Sequence, residues 1–283
     1  MQKPLNKYLS LFKPHHWLKN LLLLFPPFFG AKLRDPQVLA AVVPAFLSFS
    51  FAASCGYIVN DIWDRKYDSL HASKKYRPIA SGDISIATAS VMAGLLYLCA
   101  MILAGSVSTR FQGFVILYLF LSCSYTMYFK NIVIVDIFFV AFGFLVRVLA
   151  GGQAFNITIT NWLFLTVFVV ALFLAAGKRL GELISMKEDA EKHRKSLIHY
   201  PQSFLENLLW FCASSALVTY ALYTIENTRQ MFYTVPIAAF GLIRYVYIAK
   251  KGTGDPTDVL LKDNQIMITG IVWIVIVGGL IYQ

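Results

Sequence analysis

The sequence contains few charged residues. Asp, Glu, Lys and Arg make up 14% of its 283 positions, whereas soluble domains average about 25%. Hydrophobic residues make up 58% of the chain, more apolar surface than one soluble core of this length can bury. The same composition excludes disordered, collagen-like and disulfide-stabilised proteins. It therefore predicts an integral membrane protein.

Cysteine and acidic residues are also scarce. No CxxC pair occurs, and the four cysteines lie apart in apolar stretches, at Cys55, Cys99, Cys123 and Cys212. This spacing indicates free thiols and excludes a disulfide framework. Against 15 acidic residues stand 25 Lys and Arg, a formal net charge of +10. In a membrane protein such a surplus reports orientation, so no nucleic-acid partner is predicted.

Nine apolar runs approach the length of about 20 residues that spans a bilayer as a helix. They lie at residues 17–32, 38–59, 84–106, 111–129, 134–155, 161–177, 203–226, 232–249 and 265–282. The first run is the weakest, because it is short and contains Pro26 and Pro27. No linker divides the chain. The predicted fold is a single all-α domain over residues 1–283, with nine transmembrane helices.

The distribution of Lys and Arg predicts how these helices are oriented. If the N-terminus is cytoplasmic, 19 of the 25 fall in cytoplasmic segments and four in outer loops, and Arg147 and Arg244 lie within spans. The positive-inside rule then predicts an N-in, C-out protein of the cell membrane. Most acidic residues fall near the cytoplasmic side as well. Mixed acids and bases at one membrane face suggest a chemical site there.

The acidic residues at the end of the second run are the first candidate site. On an unbroken helix one amide and three carboxylates share an arc of about 100°, namely Asn60, Asp61, Asp64 and Asp68. Oxygen ligands of this kind favour Mg²⁺ or Ca²⁺, and Mg²⁺ commonly completes its shell with substrate phosphates. The alternative is a solvated helix end whose acids pair with Arg65 and Lys66.

Two basic groups are candidate phosphate ligands. Lys75 and Arg77 follow the acidic residues, where they could bind phosphate or only supply the positive charge of a cytoplasmic loop. Lys178 and Arg179 end the sixth run, with Glu182 one helical turn later. Two cations restrained by one carboxylate suit a phosphate or diphosphate.

Arg147 is a charged residue inside the fifth run. A charge at membrane depth is costly and normally faces a cavity, an anion or another helix. Snorkelling to the outer interface is the alternative. Asp136 lies eleven positions earlier, about 16 Å away along a helix, so it pairs with Arg147 only if the chain brings them together.

The ordered set of motifs resembles the UbiA superfamily of intramembrane prenyltransferases. The matching segments are residues 13–20, 60–68, 75–82, 135–137, 143–147, 151–152, 177–183 and 194–197. That family binds a Mg²⁺-diphosphate between two acidic motifs. The first is present here, whereas Lys178-Arg179-Leu180-Gly181-Glu182-Leu183 replaces the second. In this respect the chain is similar to the decaprenyl-phosphate phosphoribosyltransferase branch.

The resemblance implies an enzyme that transfers 5-phosphoribose from phosphoribosyl diphosphate (PRPP) to a polyprenyl phosphate and releases diphosphate. It implies Mg²⁺ as cofactor and a place in bacterial cell-wall arabinan synthesis. Asn60, Asp61, Asp64 and Asp68 would hold the metal. The residues implied in catalysis are Asp61, Asp64, Asp68, Lys178 and Glu182. Those implied in substrate binding are Lys19, Asn60, Lys75, Arg77, Arg147, Lys178 and Arg179, with Lys19 and Arg147 at the lipid phosphate.

Two other functions remain open at this stage. A prenyltransferase of the same fold would move a prenyl group from a prenyl diphosphate to an aromatic acceptor. A transporter of an anionic solute would use the same buried arginine and basic mouth, although the internal repeats of many transporters are not evident. The sequence also leaves the oligomeric state open, including a homo-oligomer.

Overall fold

The computed structural model describes residues 4–70, 74–185, 197, 199–227 and 229–283. The described residues form helices and no strands. Arg194, Lys195 and Ser196, part of the 194–197 motif, lie outside the described residues. The chain divides into two compact units. Unit 1 comprises residues 1–130 and 146–158, and unit 2 comprises residues 131–145 and 159–283.

Unit 1 is built around one long helix. Its α-helices are α1 (Pro4–Phe12), α2 (Phe25–Phe29), α3 (Pro36–Trp63), α4 (Arg65–Leu70), α5 (Ile86–Val107) and α6 (Thr109–Met127), with 3-10 helices at Pro14–Leu24 and Lys74–Tyr76. Helix α3 packs against both α5 and α6. The end of α7 (Val135–Ala154) also belongs to this unit.

Side-chain caps mark the starts of the unit 1 helices. The Asp35 carboxylate accepts a hydrogen bond from Gln37 N–H at the start of α3, and Ser85 accepts one from Thr88 N–H at the start of α5. Ser108 ends α5 and caps α6, with its hydroxyl accepting from Phe111 N–H. These interactions satisfy backbone donors that a helix start leaves unpaired.

Helix α5 buries its small side chains and exposes its large ones. Alanines occupy the buried face, at Ala89, Ala93, Ala100 and Ala104. Leu95, Leu98 and Ile102 are exposed. Small residues let helix backbones approach closely, and large apolar residues on the outside are what lipid solvates. This distribution is typical of a membrane helix.

At Gly151, helix α7 packs tightly against the 3-10 helix Pro14–Leu24. A Cβ at this position would lie 2.1 Å from the carbonyl oxygen of Leu23. We therefore expect Gly151→Ala to lower the free energy of unfolding by about 1–3 kcal/mol, the usual cost of overpacking. Thermal unfolding of the full chain in detergent measures this change.

Gly94→Ala is the matched control, because among the described residues nothing lies within 4 Å of a Cβ at that helical position. Alanine there should be neutral or stabilise by about 0.5–1 kcal/mol. Equal unfolding temperatures for the two alanine variants would contradict the close packing at Gly151.

In the described part of unit 2, two long helices pair and three more follow. Its helices are α8 (Asn161–Ser185), α9 (Gln202–Asn227), α10 (Val235–Ala249), α11 (Pro256–Lys262) and α12 (Asn264–Tyr282), with a 3-10 helix at Arg229–Thr234 and the start of α7. Helix α8 packs along α9, and α10 packs on α12. Asp255 caps α11, and Asp263 caps α12.

Seven helices in the described part of the chain are long and apolar enough to cross a membrane. They lie at Pro36–Trp63, Ile86–Val107, Val135–Ala154, Asn161–Ser185, Gln202–Glu226, Gln230–Ala249 and Asn264–Tyr282. Each corresponds to one of the nine predicted runs. The remaining two runs, 17–32 and 111–129, differ from the prediction for different reasons.

The spanning helix predicted at residues 17–32 is not confirmed. This run forms part of a 3-10 helix and then the five-residue helix α2, which contains Pro26 and Pro27. Proline lacks the N–H that would continue a hydrogen-bonded helix through this point. Run 111–129 does form a helix, α6. It is not among the seven apolar helices, because Arg110 and Gln112 in its first turn and polar residues in its last turn lower its mean hydropathy.

Candidate active site

Two carboxylates of the acidic motif in unit 1 converge on one guanidinium group. Arg77 Nη1 lies 3.0 Å from Asp61 Oδ1 and 2.7 Å from Asp68 Oδ2. Lys13 Nζ also lies 2.9 Å from the Asp61 carboxylate. Both aspartates are buried. The structure therefore brings Asp61 and Asp68 together around a shared positive charge.

The other two members of the motif contact different partners. Helix α3 ends at Trp63, and Asp64, with ψ of 2°, separates it from α4. The Asp64 carboxylate pairs with Lys130, and the Asn60 side chain accepts a hydrogen bond from Thr126 Oγ1 at 3.2 Å. The expectation of one unbroken helix is thus wrong, because the backbone leaves helical geometry at Asp64.

Burial changes the proton affinity of two charged groups in this cluster. Desolvation lowers the pKa of Lys13, although the Asp61 carboxylate opposes the shift. Desolvation also raises the pKa of Asp68, against the opposing effect of Arg77. In both groups burial disfavours the charged form, and the oppositely charged neighbour offsets part of that cost.

The segment after α4 fixes the position of Arg77. Ile79 is fully buried, and its carbonyl accepts a hydrogen bond from Arg65 Nε at 3.2 Å. Gly82 has a φ of 82°, a left-handed conformation that glycine adopts without strain. Lys75, by contrast, is exposed, and its Nζ lies 5.2 Å from the centre of the Tyr76 ring.

Arg147 is buried in unit 1 and contacts two other helices. Its Nε donates to Asn20 Oδ1 at 2.7 Å, and its Nη2 donates to the Tyr118 hydroxyl at 3.0 Å. Asn20 in turn donates to Ser50 Oγ at 3.1 Å. Snorkelling is therefore wrong, since the guanidinium is held between neighbouring helices. Lys19, beside Asn20 on the 3-10 helix, is half-buried.

A second charged cluster lies in unit 2, around Arg179 of α8. Arg179 Nε donates to Asp136 Oδ2 at 2.7 Å, and Nη1 donates to Glu182 Oε2 at 2.6 Å. Tyr200 donates its hydroxyl proton to Asp136 Oδ1 at 2.6 Å and accepts from Ile134 N–H at 2.5 Å. Asp136 therefore pairs with Arg179 and with Tyr200, both distant in the sequence.

Lys178 has its own carboxylate partner in unit 2. Its Nζ lies 2.8 Å from Asp255 Oδ2, while Asp255 Oδ1 accepts from Thr257 N–H at 3.0 Å. Backbone packing holds the loop before Asp255 against α8. A Cβ on Gly181 would lie 2.3 Å from Gly254 N, and Tyr245 donates its hydroxyl to Gly254 O at 2.7 Å.

The donor set of the acidic motif fits a hard divalent cation such as Mg²⁺. Among the described residues no three His, Cys, Asp or Glu side chains are placed to hold a metal by themselves. Mg²⁺ is usually bound by one or two carboxylates together with substrate phosphates and water. Asp61 and Asp68 supply two buried carboxylates, and the Arg77 guanidinium lies where they converge. The residues present therefore fit a metal that arrives with a phosphorylated substrate.

Comparison with known proteins identifies the family. A model of the UbiA prenyltransferase family matches residues 23–278 of the chain. The chain belongs to this family. As a UbiA-family protein it is a multi-pass integral membrane transferase, which agrees with the helical fold and with the seven apolar helices.

Relatives of this UbiA-family protein include decaprenyl-phosphate phosphoribosyltransferases. The protein of that name from Mycolicibacterium smegmatis is 32% identical over 95% of this chain and 91% of its own length. The one from Mycobacterium tuberculosis is 30% identical over 94% of this chain and 91% of its own. The resemblance of the motifs to this branch of the family is therefore confirmed.

Solved structures share the UbiA fold at lower identity. A UbiA homologue from Archaeoglobus fulgidus, bound to DMAPP and Mg²⁺, matches with a TM-score of 0.77 and 18% identity. The match covers 98% of this chain and 99% of that one. The same homologue bound to GPP and Mg²⁺ gives a TM-score of 0.74. These matches confirm the all-helical UbiA-like fold.

Several side chains of both clusters in this UbiA-family protein were not predicted from its sequence. Lys13 was considered only as part of a motif, and Asp136 only as a partner of Arg147. Lys130 and Tyr200 were given no role. The one available signal was the presence of Asp136 in an apolar run, where an acid needs a partner. Nothing in the local sequence indicated that this partner was Arg179.

Proposed function

We propose that this protein transfers 5-phosphoribose from PRPP to a polyprenyl phosphate, with release of diphosphate. The observation that carries the proposal is the 32% identity, over 95% of the chain, to the M. smegmatis decaprenyl-phosphate phosphoribosyltransferase. The α8 segment agrees with it, because Lys178 and Arg179 stand where a prenyltransferase of the family would have a second acidic motif. Membrane lipids, PRPP and a polyprenyl phosphate are the partners this reaction requires.

We assign the metal-diphosphate site to the acidic motif of unit 1, at Asn60, Asp61, Asp64 and Asp68. The A. fulgidus homologue, bound to DMAPP and Mg²⁺, supports Mg²⁺ as the cofactor. When bound, Mg²⁺ neutralises charge that develops on the leaving diphosphate. Arg77 already contacts two of the carboxylates and is our candidate for a phosphate-binding cation in the complex.

The reaction is a substitution at the anomeric carbon of ribose. A phosphate oxygen of the lipid forms a bond to C1, the bond between C1 and the diphosphate oxygen breaks, and its electron pair leaves with the diphosphate. The lipid phosphate is already ionised near neutral pH, so the step requires no strong base. The protein contributes positioning and electrostatic stabilisation of the leaving charge.

Several basic side chains are candidates for the remaining phosphate groups. Lys75 is exposed, and the side chain of Lys178 is 32% exposed, so both can reach a water-soluble substrate. Lys19 is our candidate for the lipid phosphate. Arg147 bonds to the adjacent Asn20 and would act in the same place.

We further propose that the chain acts as one domain in the cell membrane, in the N-in, C-out orientation, with its site facing the cytoplasm. The bias of Lys and Arg toward one set of loops supports this orientation. PRPP is a charged, water-soluble molecule, so a cytoplasmic site also suits its supply.

Transfer of labelled ribose phosphate to lipid tests the proposed function. We expect purified protein in detergent, given labelled PRPP, Mg²⁺ and polyprenyl phosphate, to move label into the organic phase. Omission of the lipid or chelation of Mg²⁺ should abolish the transfer. Label that stays in the aqueous phase, with active lipid and metal verified, would overturn the proposal. Consumption of a prenyl diphosphate with an aromatic acceptor would favour prenyl transfer instead.

A further inference from the structure

One buried hydroxyl on α3 joins two parts of the amino-terminal segment in unit 1. Ser54 is fully buried, and its Oγ donates to the Phe12 carbonyl oxygen at 2.8 Å. The same oxygen atom of Ser54 accepts a hydrogen bond from Trp17 Nε1 at 3.0 Å. Phe12 is the last residue of α1, and Trp17 belongs to the 3-10 helix Pro14–Leu24. Ser54 therefore holds the chain on both sides of Lys13.

The backbone of Lys13 is strained. Its φ of 49° and ψ of 56° lie in the left-handed helical region, which a residue with a side chain rarely adopts. Pro14 follows, and the residue before a proline favours extended backbone instead. The bond from Ser54 holds the preceding carbonyl, and His16 N–H donates to the Lys13 carbonyl at 2.9 Å. Strained residues persist where the surrounding structure imposes them, and they cluster at functional sites.

The Lys13 side chain reaches the acidic motif along one face of α3. Ser54, Tyr57 and Asp61 share this face, because residues three and seven positions apart lie on the same side of an α-helix. Lys13 Nζ lies 5.3 Å from the centre of the Tyr57 ring and 2.9 Å from the Asp61 carboxylate. The Lys13 side chain is only 15% exposed. Its backbone is thus held at Ser54, and its ammonium group lies at Asp61, about two helical turns further along α3.

We propose that Ser54 is a positioning residue of the candidate active site: it fixes the peptide between Phe12 and Lys13, and thereby places the Lys13 ammonium group against Asp61. The inference rests on the metal site of the proposed function, since it takes the acidic motif as that site. It adds Lys13 to the charged groups of the site and Ser54 to the residues that arrange them.

A cation fixed at this place affects how the acidic motif binds metal. The Lys13 ammonium group and a divalent cation both favour the Asp61 carboxylate, and two positive charges a few Å apart repel each other. Lys13 in its fixed position therefore weakens the binding of a bare divalent cation. A diphosphate offsets this repulsion with its negative charge. The arrangement favours a metal that arrives together with its phosphorylated substrate.

Binding of Mn²⁺ to the full chain in detergent, followed by electron paramagnetic resonance, tests the inference without turnover. Mn²⁺ accepts the same kind of oxygen ligands as Mg²⁺. We expect Lys13→Gln to bind Mn²⁺ about tenfold more tightly than the wild type, because a nearby positive charge is removed. Ser54→Ala should bind it about threefold more tightly, since Lys13 keeps its charge but loses a hydrogen bond that fixes its place. The double variant should bind no more tightly than Lys13→Gln, because Ser54 acts through Lys13.

Matched variants separate positioning from a general effect on folding. Ser48→Ala removes another fully buried hydroxyl of α3, which donates to the Ala100 carbonyl at 2.9 Å, and should leave the Mn²⁺ affinity unchanged. Both alanine variants lose a buried hydrogen bond to a carbonyl, so a general loss of stability would affect them alike. Ser54→Cys replaces the hydroxyl by a weaker donor and should shift the affinity in the same direction as Ser54→Ala. It keeps the inference testable if Ser54→Ala does not fold.

The outcomes distinguish this inference from the proposed function. Unchanged Mn²⁺ affinity in Ser54→Ala, an equal shift in Ser48→Ala, or additive shifts in the double variant would overturn the inference, while label transfer by the wild type would still support the function. The expected shifts together with no label transfer by the wild type would overturn the function and leave the metal site and the role of Ser54 standing. Failure of the wild type and of every variant to bind Mn²⁺ would overturn the assigned metal site and the inference with it.

Discussion

Asp61→Asn and Asp68→Asn should each reduce turnover about a thousandfold, the effect of removing a preorganised charged group from a reaction centre. Both carboxylates contact Arg77 Nη1, at 3.0 Å and 2.7 Å, and so can act on one ligand. Asparagine keeps the shape of the side chain but removes the charge that a metal-diphosphate requires. Initial rates of label transfer to lipid measure the effect, with the Mg²⁺ concentration varied.

Asp83→Asn is the control for these two variants. Asp83 is an exposed carboxylate paired with Lys7 at 2.6 Å, and its substitution should leave turnover unchanged. Unfolding temperatures should also stay within a few degrees of the wild-type value, if the loss is chemical and not structural. Activity near wild type in Asp61→Asn and Asp68→Asn would show that these buried carboxylates serve only as ion-pair partners of Arg77. The turnover of Asp64→Asn then shows whether Asp64, which pairs with Lys130, contributes to the reaction together with Asp61 and Asp68.

Asp136→Ala should lower the free energy of unfolding by about 3–5 kcal/mol, the usual cost of breaking a buried ion pair. The substitution removes the carboxylate that lies 2.7 Å from Arg179 Nε and leaves the Tyr200 hydroxyl without this acceptor. Replacing both charges, as Asp136→Leu with Arg179→Met, should recover most of the stability, because no buried charge is left without its partner. Denaturant or thermal unfolding in detergent provides the measurement.

Asp258→Ala is the matched control for stability. Asp258 pairs with Lys262 one helical turn away, and both side chains are more than half exposed, at 53% and 70%. Exposed pairs contribute about 0–1 kcal/mol, so this variant should unfold close to the wild type. A double variant no more stable than Asp136→Ala would contradict the assignment of the loss to an unpaired buried charge.

Long apolar runs made the fold predictable, and prolines limited that prediction. The run at 161–177 became α8, which extends to Ser185 because its polar end continues the same helix. The run at 17–32 has a spanning composition, yet it forms a 3-10 helix up to Leu24 and then the short α2, with Pro26 and Pro27 in its first turn. Mean hydropathy depends on the side chains alone, whereas the interruption of regular α-helix depends on the backbone N–H groups that proline lacks.

The site was predictable where its residues are close in sequence and hidden where they are distant. Asp61 and Asp68 were expected to share a face, and they do share a partner despite the break at Asp64. The Asp136–Arg179 contact joins residues 43 positions apart. Helical periodicity carries no information on such pairs, since the packing of helices decides which side chains meet.

The contact between Asn20 and Arg147 bears on the order in which the protein assembles. These two residues are separated by 127 positions in the chain. A ribosome therefore completes the segment that contains Asn20, and the helices α3, α5 and α6, before Arg147 exists. The buried hydrogen bond that joins the Pro14–Leu24 segment to α7 can form only after more than half of the protein has been synthesised. Docking of this segment onto α7 is therefore a late event in biogenesis, whereas its contact with Ser50 of α3 can form earlier.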